Sequence, residues 1–195
     1  MKLFFVKRMP DKQPTSMQEV LVLPDNVLIN SGKVLYQPSY IAELMMVPVV
    51  LYRVSKVAKC VREQYIGRYY QRERVGLAYH ASALAEGEPE YLRYLFDGSL
   101  VRSEVLTEAE QMGGLQLQHY HQLEEQAIYH FTVPDIEEVG PVISMISHYF
   151  LLKLGDLIAV PLWEEPIVAK PKDAFLLSRE TQVEEGKELI FSQVE

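Results

Sequence analysis

Only one cysteine, Cys60, stands in a chain of 195 residues. An internal disulfide is therefore excluded, and the scarcity suits a reducing compartment. Cys60 itself reads as a packed thiol within a helix. No window approaches the ~18 consecutive apolar residues of a membrane-crossing helix. The apolar run at the start, Leu3 to Val6, is too short for a secretory leader, and Lys7-Arg8 ends it. The expected location is the cytoplasm. Positive charge is in the minority: 19 Lys and Arg against 27 Asp and Glu give a formal net charge of -8. That balance argues against non-specific binding to nucleic acid or to anionic membrane. Glycine-rich phosphate loops, a Gly-x-Ser-x-Gly elbow and a Cys-x-x-Cys pair are all missing, and no repeat or low-complexity tract occurs.

What is present is a succession of short apolar segments punctuated by turns. Leu3 to Val6 and Val20 to Leu23 read as strands, separated by the Pro10- and Pro14-bearing loop Met9 to Gln18. Pro24-Asp25-Asn26 and Asn30-Ser31-Gly32 flank Val27-Leu28-Ile29, and Val34 to Tyr36 is short and extended. Leu44 to Val54 is the longest run of high β-propensity. It is continuous rather than alternating, so both of its faces should be buried. Pro48 in its middle cannot donate to a ladder, which predicts an edge position or a bulge.

Val61, Tyr65, Ile66 and Tyr69 recur at helical spacing within 60–71, and Val75 to Ala81 is extended. Residues 84–95 are helical or irregular around Gly87-Glu88-Pro89. Leu115 to Gln122 alternates, with Leu115, Leu117, His119 and His121 on one side and Ala127 to Phe131 as a hairpin partner. Asp135 or Thr132 is placed to cap a helix, and Gly140-Pro141 predicts a kink or a late start in it. Ile143, Ile146 and Phe150 continue it to a Leu154-Gly155-Asp156 turn, where a positive φ suits glycine. Leu157 to Val160 then reads as a core strand. Ile167-Val168, Ala174 to Leu177 and Leu189 to Phe191 close the chain as strands. Many strands with two or three helices predict a β-rich α+β domain spanning 1–195.

The wording of several turns carries a resemblance. Ile146-Ser147-His148-Tyr149-Phe150-Leu151-Leu152-Lys153-Leu154-Gly155-Asp156-Leu157-Ile158 resembles the Ile-Ser-x-Phe-Phe-Thr-Leu-Lys-x-Gly-Asp-Leu-Ile signature of the fumarylacetoacetate hydrolase superfamily. Phe96-Asp97-Gly98-Ser99 stands as in that family. Leu23-Pro24-Asp25-Asn26-Val27-Leu28 is similar to its Lys-Pro-Asp-x-Ala-Leu segment, and Leu35-Tyr36-Gln37-Pro38 to its Phe-x-x-Pro. Tyr69-Tyr70 through Gly76 to Ala83 resembles its Tyr-Tyr-x-x-x-x-x-Gly-x-Asp-x-Thr-Ala-Arg-Asp pattern. The matches keep their order and spacing, and the likeness is to the small single-domain bacterial members. It implies a mixed β-roll, with an N-terminal strand 1–8, a shortened lid loop 9–19 and a core 20–195. It also implies a homodimer.

The departures fall on the chemistry. The family holds Mg²⁺ or Mn²⁺ with three carboxylates, and a hard divalent ion needs such oxygen ligands. The alignment puts Val47 and Val49 at two of those positions and Ala78 at the third, and Leu23 where the family has a substrate lysine. Ala159-Val160-Pro161-Leu162 replaces Thr-Gly-Thr-Pro. Of the lid motif only Lys7-Arg8-Met9-Pro10 is similar, and no histidine follows before His80. The expectation is that the metal is lost and no cofactor is held, with Glu43 a shifted ligand only if the alignment slips.

Two readings of function follow. The first is an inactive relative that binds a small molecule or a partner chain. The second is a hydrolase, decarboxylase or isomerase of acylpyruvate-like 2-oxo acids with a rebuilt site, for which His80, Ser82 and Asp97 are the local polar candidates. His119 and His121 share one side of a strand and form a feasible metal pair, with His130 or His148 as a third ligand. The simpler reading is a packed strand or subunit contact with the histidines at its wet end, on the expectation that no acidic or cysteine partner lies nearby. Tyr65, Tyr69 and Tyr70 read as a core or interface stripe, while Glu137-Glu138 and Glu184-Glu185 read as solvated charge.

Overall fold

The computed structural model describes residues 1–7, 20–106, 114–133, 136–163, 165–180 and 188–195, without the side chains of 136 and 137. The lid expected over 9–19, the Asp135 cap and Glu184-Glu185 lie outside them.

Along the chain the strands are β1 (Leu3–Val6), β2 (Val20–Leu23), β3 (Leu28–Asn30), β4 (Val34–Leu35), β5 (Ile41–Val54), β6 (Tyr70–Leu84) and β7 (Leu100–Arg102). They continue as β8 (Gly114–His121) and β9 (Glu124–Thr132). Helix α1 (Ile136–Tyr149) follows, then β10 (Leu157–Pro161), β11 (Ile167–Ala169), β12 (Asp173–Arg179) and β13 (Glu188–Val194). One sheet runs β2-β1-β10-β5-β6-β7-β3 with β11 also on β5, and the other runs β4-β13-β12-β8-β9. Pairing is mixed: β1 with β10 and β3 with β7 are parallel, whereas β5 with β6 is antiparallel. This is the expected β-rich α+β roll.

The paired strands β5 and β6 explain the continuous apolar run. Leu44, Met46, Val50 and Tyr52 of β5 and Leu77 and Tyr79 of β6 face the main core. There they meet Val139, Val142, Ile143 and Ile146 of α1, together with Leu117, Phe175 and Ile190 of the second sheet. Val49, Leu51 and Ala78 face the other way, into a separate apolar cluster with Leu3, Phe5, Leu23, Leu100, Leu157 and Ala159. Burying both faces leaves no polar side for the strand to show, so alternation is lost.

Pro48 is neither at a sheet edge nor at a bulge. It falls between the part of β5 that pairs with β10, Val49 to Arg53, and the part that pairs with β11, Leu44 to Met46. Its carbonyl accepts the Leu162 N–H at 2.8 Å. A strand residue's N–H and C=O project to the same side, so the missing N–H faces this gap and not β6.

Three further expectations need correction. Residues 60–71 are not a helix: a 3-10 turn covers Glu63–Arg68, and β6 starts at Tyr70. Tyr70 is buried there while Tyr65 is exposed beneath the Arg68 guanidinium, so no aromatic stripe forms. Pairing along the whole length of β5 outweighs a local period of 3.6. Cys60 is exposed rather than packed in a helix, and its φ is 51°. Helix α1 starts before Gly140 and continues through Pro141, so the late start does not occur. Among the described residues it is the single α-helix.

Two turns use one device. In Lys153-Leu-Gly-Asp156 the Asp156 carboxylate accepts the Lys153 N–H at 2.9 Å, while Asp156 N–H bonds the Lys153 carbonyl at 3.0 Å. Lys170-Pro-Lys-Asp173 repeats both bonds, each at 2.9 Å. Gly155 and Lys172 take the same left-handed position, at φ 87° and 74°. Each turn launches a strand, and each carboxylate is buried. Asp156 also accepts the Lys2 N–H at 2.8 Å, tying the start of β1 to β10.

Candidate functional site

Register places together the positions that the sequence resemblance aligns with metal ligands. Val47 lies opposite Ala78 and Val49 opposite Gly76 across β5 and β6. All therefore share one face, because residues two apart on a strand point the same way. Val49 is 0% exposed, Val47 6%, Ala78 4% and Leu23 6%, so solvent barely reaches any of them. Contact is tight: a Cβ on Gly76 would lie 2.9 Å from Val49 Cγ2 and 3.1 Å from the Val101 carbonyl.

Polar groups sit farther along the same strand. His80 is two residues beyond Ala78 and stacks on Tyr94, with centroids 5.4 Å apart and planes at 14°. Burial, followed by the nearby Arg93 cation, pushes its pKa down to about 4. It is therefore neutral at physiological pH, and its buried Nδ1 has no hydrogen-bond partner among the described residues. Lys7 Nζ lies 5.7 Å from the centre of the Tyr94 ring, and Phe5 packs against that ring at 5.9 Å. The Ser82 hydroxyl bonds the Glu43 carboxylate, so Glu43 is engaged at the strand end and does not point among the valines. Arg93 bonds Glu90 and the carbonyls of Ala81 and Ser82.

Asp97 is engaged elsewhere. Its carboxylate accepts from the Asn26 amide, and the Gly98 N–H bonds the Asn26 carbonyl at 3.2 Å. It thus staples the Phe96-Asp97-Gly98-Ser99 turn to the Pro24-Asp25-Asn26 turn beside a cleft of about 580 Å³. His80 and Ser82 share a strand face, but the structure does not join Asp97 to them.

The second sheet holds what the sequence reading missed. Asp173 accepts from His119 Nε2 at 2.9 Å and from His121 Nδ1 at 2.6 Å. The expectation that no acidic partner lies nearby is therefore overturned: Asp173 lies 54 and 52 residues downstream. The antiparallel register of β12 on β8, Asp173 opposite His121, brings it there. The repeated Lys-x-x-Asp turn was the available signal. His130 faces Glu180 at 3.3 Å and His148 bonds the Ser144 carbonyl at 2.8 Å, so neither joins the pair. Among the described residues no group of three His, Cys, Asp or Glu side chains is placed to hold a metal.

Solved structures of low sequence identity share the architecture. A fumarylpyruvate hydrolase from Pseudomonas aeruginosa, solved with Mn²⁺ and pyruvate, is 14% identical with a TM-score of 0.71, covering 100% of this chain and 89% of its own. A 5-carboxymethyl-2-hydroxymuconate delta-isomerase from Mycobacterium smegmatis is 12% identical with a TM-score of 0.72, covering 99% and 76%. A Yersinia pestis protein provisionally assigned to the fumarylacetoacetate hydrolase family is 17% identical with a TM-score of 0.72, covering 100% and 92%. The fold is the fumarylacetoacetate hydrolase fold. No protein-family model matches the sequence, and no curated protein matches it either.

On this fumarylacetoacetate hydrolase fold, the positions that the sequence resemblance aligns with the metal carboxylates carry side chains without a lone pair. A hard divalent ion gives up water only to oxygen ligands, and two valines and an alanine supply none. Val47, Val49 and Ala78 do not fit the metal.

Proposed function

We propose that this chain is a relative of the fumarylacetoacetate hydrolases that has given up metal-dependent chemistry and acts by binding a small molecule or a partner chain. The supporting observation is the packing of Val47, Val49, Ala78 and Leu23: each is at most 6% exposed on one sheet face. A face so filled resembles core, and polarising an oxo group there through a metal has no ligand set to use. The homodimer implied by the resemblance belongs to the same reading.

The test has two arms. Purified protein is assayed against acylpyruvates and oxaloacetate with and without Mg²⁺ or Mn²⁺, and its melting temperature is measured in millimolar Mg²⁺. No turnover and no shift are expected. The triple variant Val47→Glu, Val49→Glu, Ala78→Asp should gain Mg²⁺-dependent stabilisation, about 2.7 kcal/mol at ~100 times its dissociation constant. Metal-dependent turnover by the unmodified protein would overturn the proposal and favour the rebuilt-enzyme reading.

A further inference from the structure

The cleft beside β8 and β12 measures about 500 Å³ and is lined by His119, His121, Tyr129, Trp163, Lys170 and Asp173, among others. None of the metal-aligned positions contributes to it. The Asp173 side chain is 1% exposed and accepts three N–H groups: the Lys170 backbone at 2.9 Å, His119 Nε2 at 2.9 Å and His121 Nδ1 at 2.6 Å. A carboxylate only accepts, so both facing ring nitrogens carry hydrogen. In the neutral form of each ring the lone pair then lies on the other nitrogen, Nδ1 of His119 and Nε2 of His121.

The two histidines are not equivalent. His119 is 13% exposed and stacked on Phe175 at 4.6 Å, fixed as a wall. His121 is 39% exposed and reachable. With one nitrogen locked to a buried carboxylate and the other making no hydrogen bond among the described residues, it has the arrangement of a general base. Among the described residues the lining holds no Ser, Thr or Cys to act as a covalent nucleophile. Trp163 and Tyr129 offer flat apolar surface, and Trp163 is braced edge-on by Phe131 at 5.4 Å.

We propose that this cleft binds a planar, weakly acidic aromatic molecule, a phenol or a hydroxylated heteroaromatic, and takes its proton on His121. The O–H bond breaks, the proton goes to Nε2, and the bonding pair stays on the ligand oxygen. Asp173 stabilises the imidazolium through Nδ1–H, while Lys170 of the lining is the cation available to the new oxyanion. Among the described residues, Glu165 of the lining and Glu124, opposite His121 in register, are the other carboxylates that face the site and favour the imidazolium. Charge is separated but not created, so one buried carboxylate suffices. This site stands or falls separately from the metal reading, because the two share no residue.

The probe is 4-nitrophenol, with 4-nitroanisole as the same ring without an acidic proton. Trp163 is the chain's one tryptophan, so its fluorescence reports the cleft alone. In buffer at neutral pH, nitrophenol should quench it saturably, and the nitrophenolate absorption band should grow on binding. Nitroanisole, and nitrophenol with His121→Gln, should each bind roughly tenfold more weakly, the loss of one charge-assisted hydrogen bond. An unchanged far-ultraviolet spectrum of His121→Gln, a half-exposed position, checks the fold. Absence of saturable quenching would overturn the site. Equal binding of the methyl ether, or no growth of the phenolate band, would overturn the proton transfer.

Discussion

Acidification should destabilise this protein through His80. The imidazole is buried, stacked on Tyr94 and near the Arg93 guanidinium, and its pKa falls from 6.5 to about 4. The sign follows from the depressed value. Below pH 6.5 the unfolded chain takes up a proton that the folded chain refuses until about pH 4. At and above 6.5 His80 costs nothing by this route, and the loss grows as pH falls and is complete near 4. At about 1.36 kcal/mol per unit, it reaches about 3 kcal/mol at most. His80→Phe keeps a flat ring against Tyr94 and removes the titration. It also removes an Nδ1 that has no hydrogen-bond partner among the described residues, which should add about 1 kcal/mol at every pH. Urea unfolding of both proteins between neutral pH and pH 4 gives the difference in stability, in which the other titrating groups cancel. That difference should widen steadily on acidification. A constant difference across the window would refute the reasoning, because His80 would then be solvated or paired.

Lys172→Gly should stabilise the fold by about 0.5–1 kcal/mol, since Lys172 holds a φ of 74° where the matching turn has Gly155; an unchanged or lower melting temperature would count against it. Tyr79→Phe should cost about 1–2 kcal/mol, because the Tyr79 hydroxyl bonds buried Ser192 at 2.8 Å and links the two sheets; a urea midpoint equal to that of the unmodified protein would show the bond to be idle. Light scattering should return twice the 22.5 kDa chain mass, and a monomer at micromolar concentration would remove the dimer.

Local patterns carried much of the fold. Leu3 to Val6, Val20 to Leu23 and Leu157 to Val160 are strands as the sequence alone indicates, because apolar, β-branched runs bounded by turns have few other uses. The alternation along β8 foretold the side on which Leu115 and Leu117 are buried and the histidines less so, and Gly155 announced its left-handed turn. Register decided what local patterns could not. Residues 60–71 have helical spacing, yet β5 needs a long partner and takes Tyr70 onward. Pro48 is tolerated in a central strand only because two different neighbours leave a gap there. Asp173 reaches His119 and His121 only because β12 lies antiparallel on β8. A hydrophobic period reports which way a side chain faces. Which distant residue it then meets depends on strand order and register, and in this chain tertiary packing sets both.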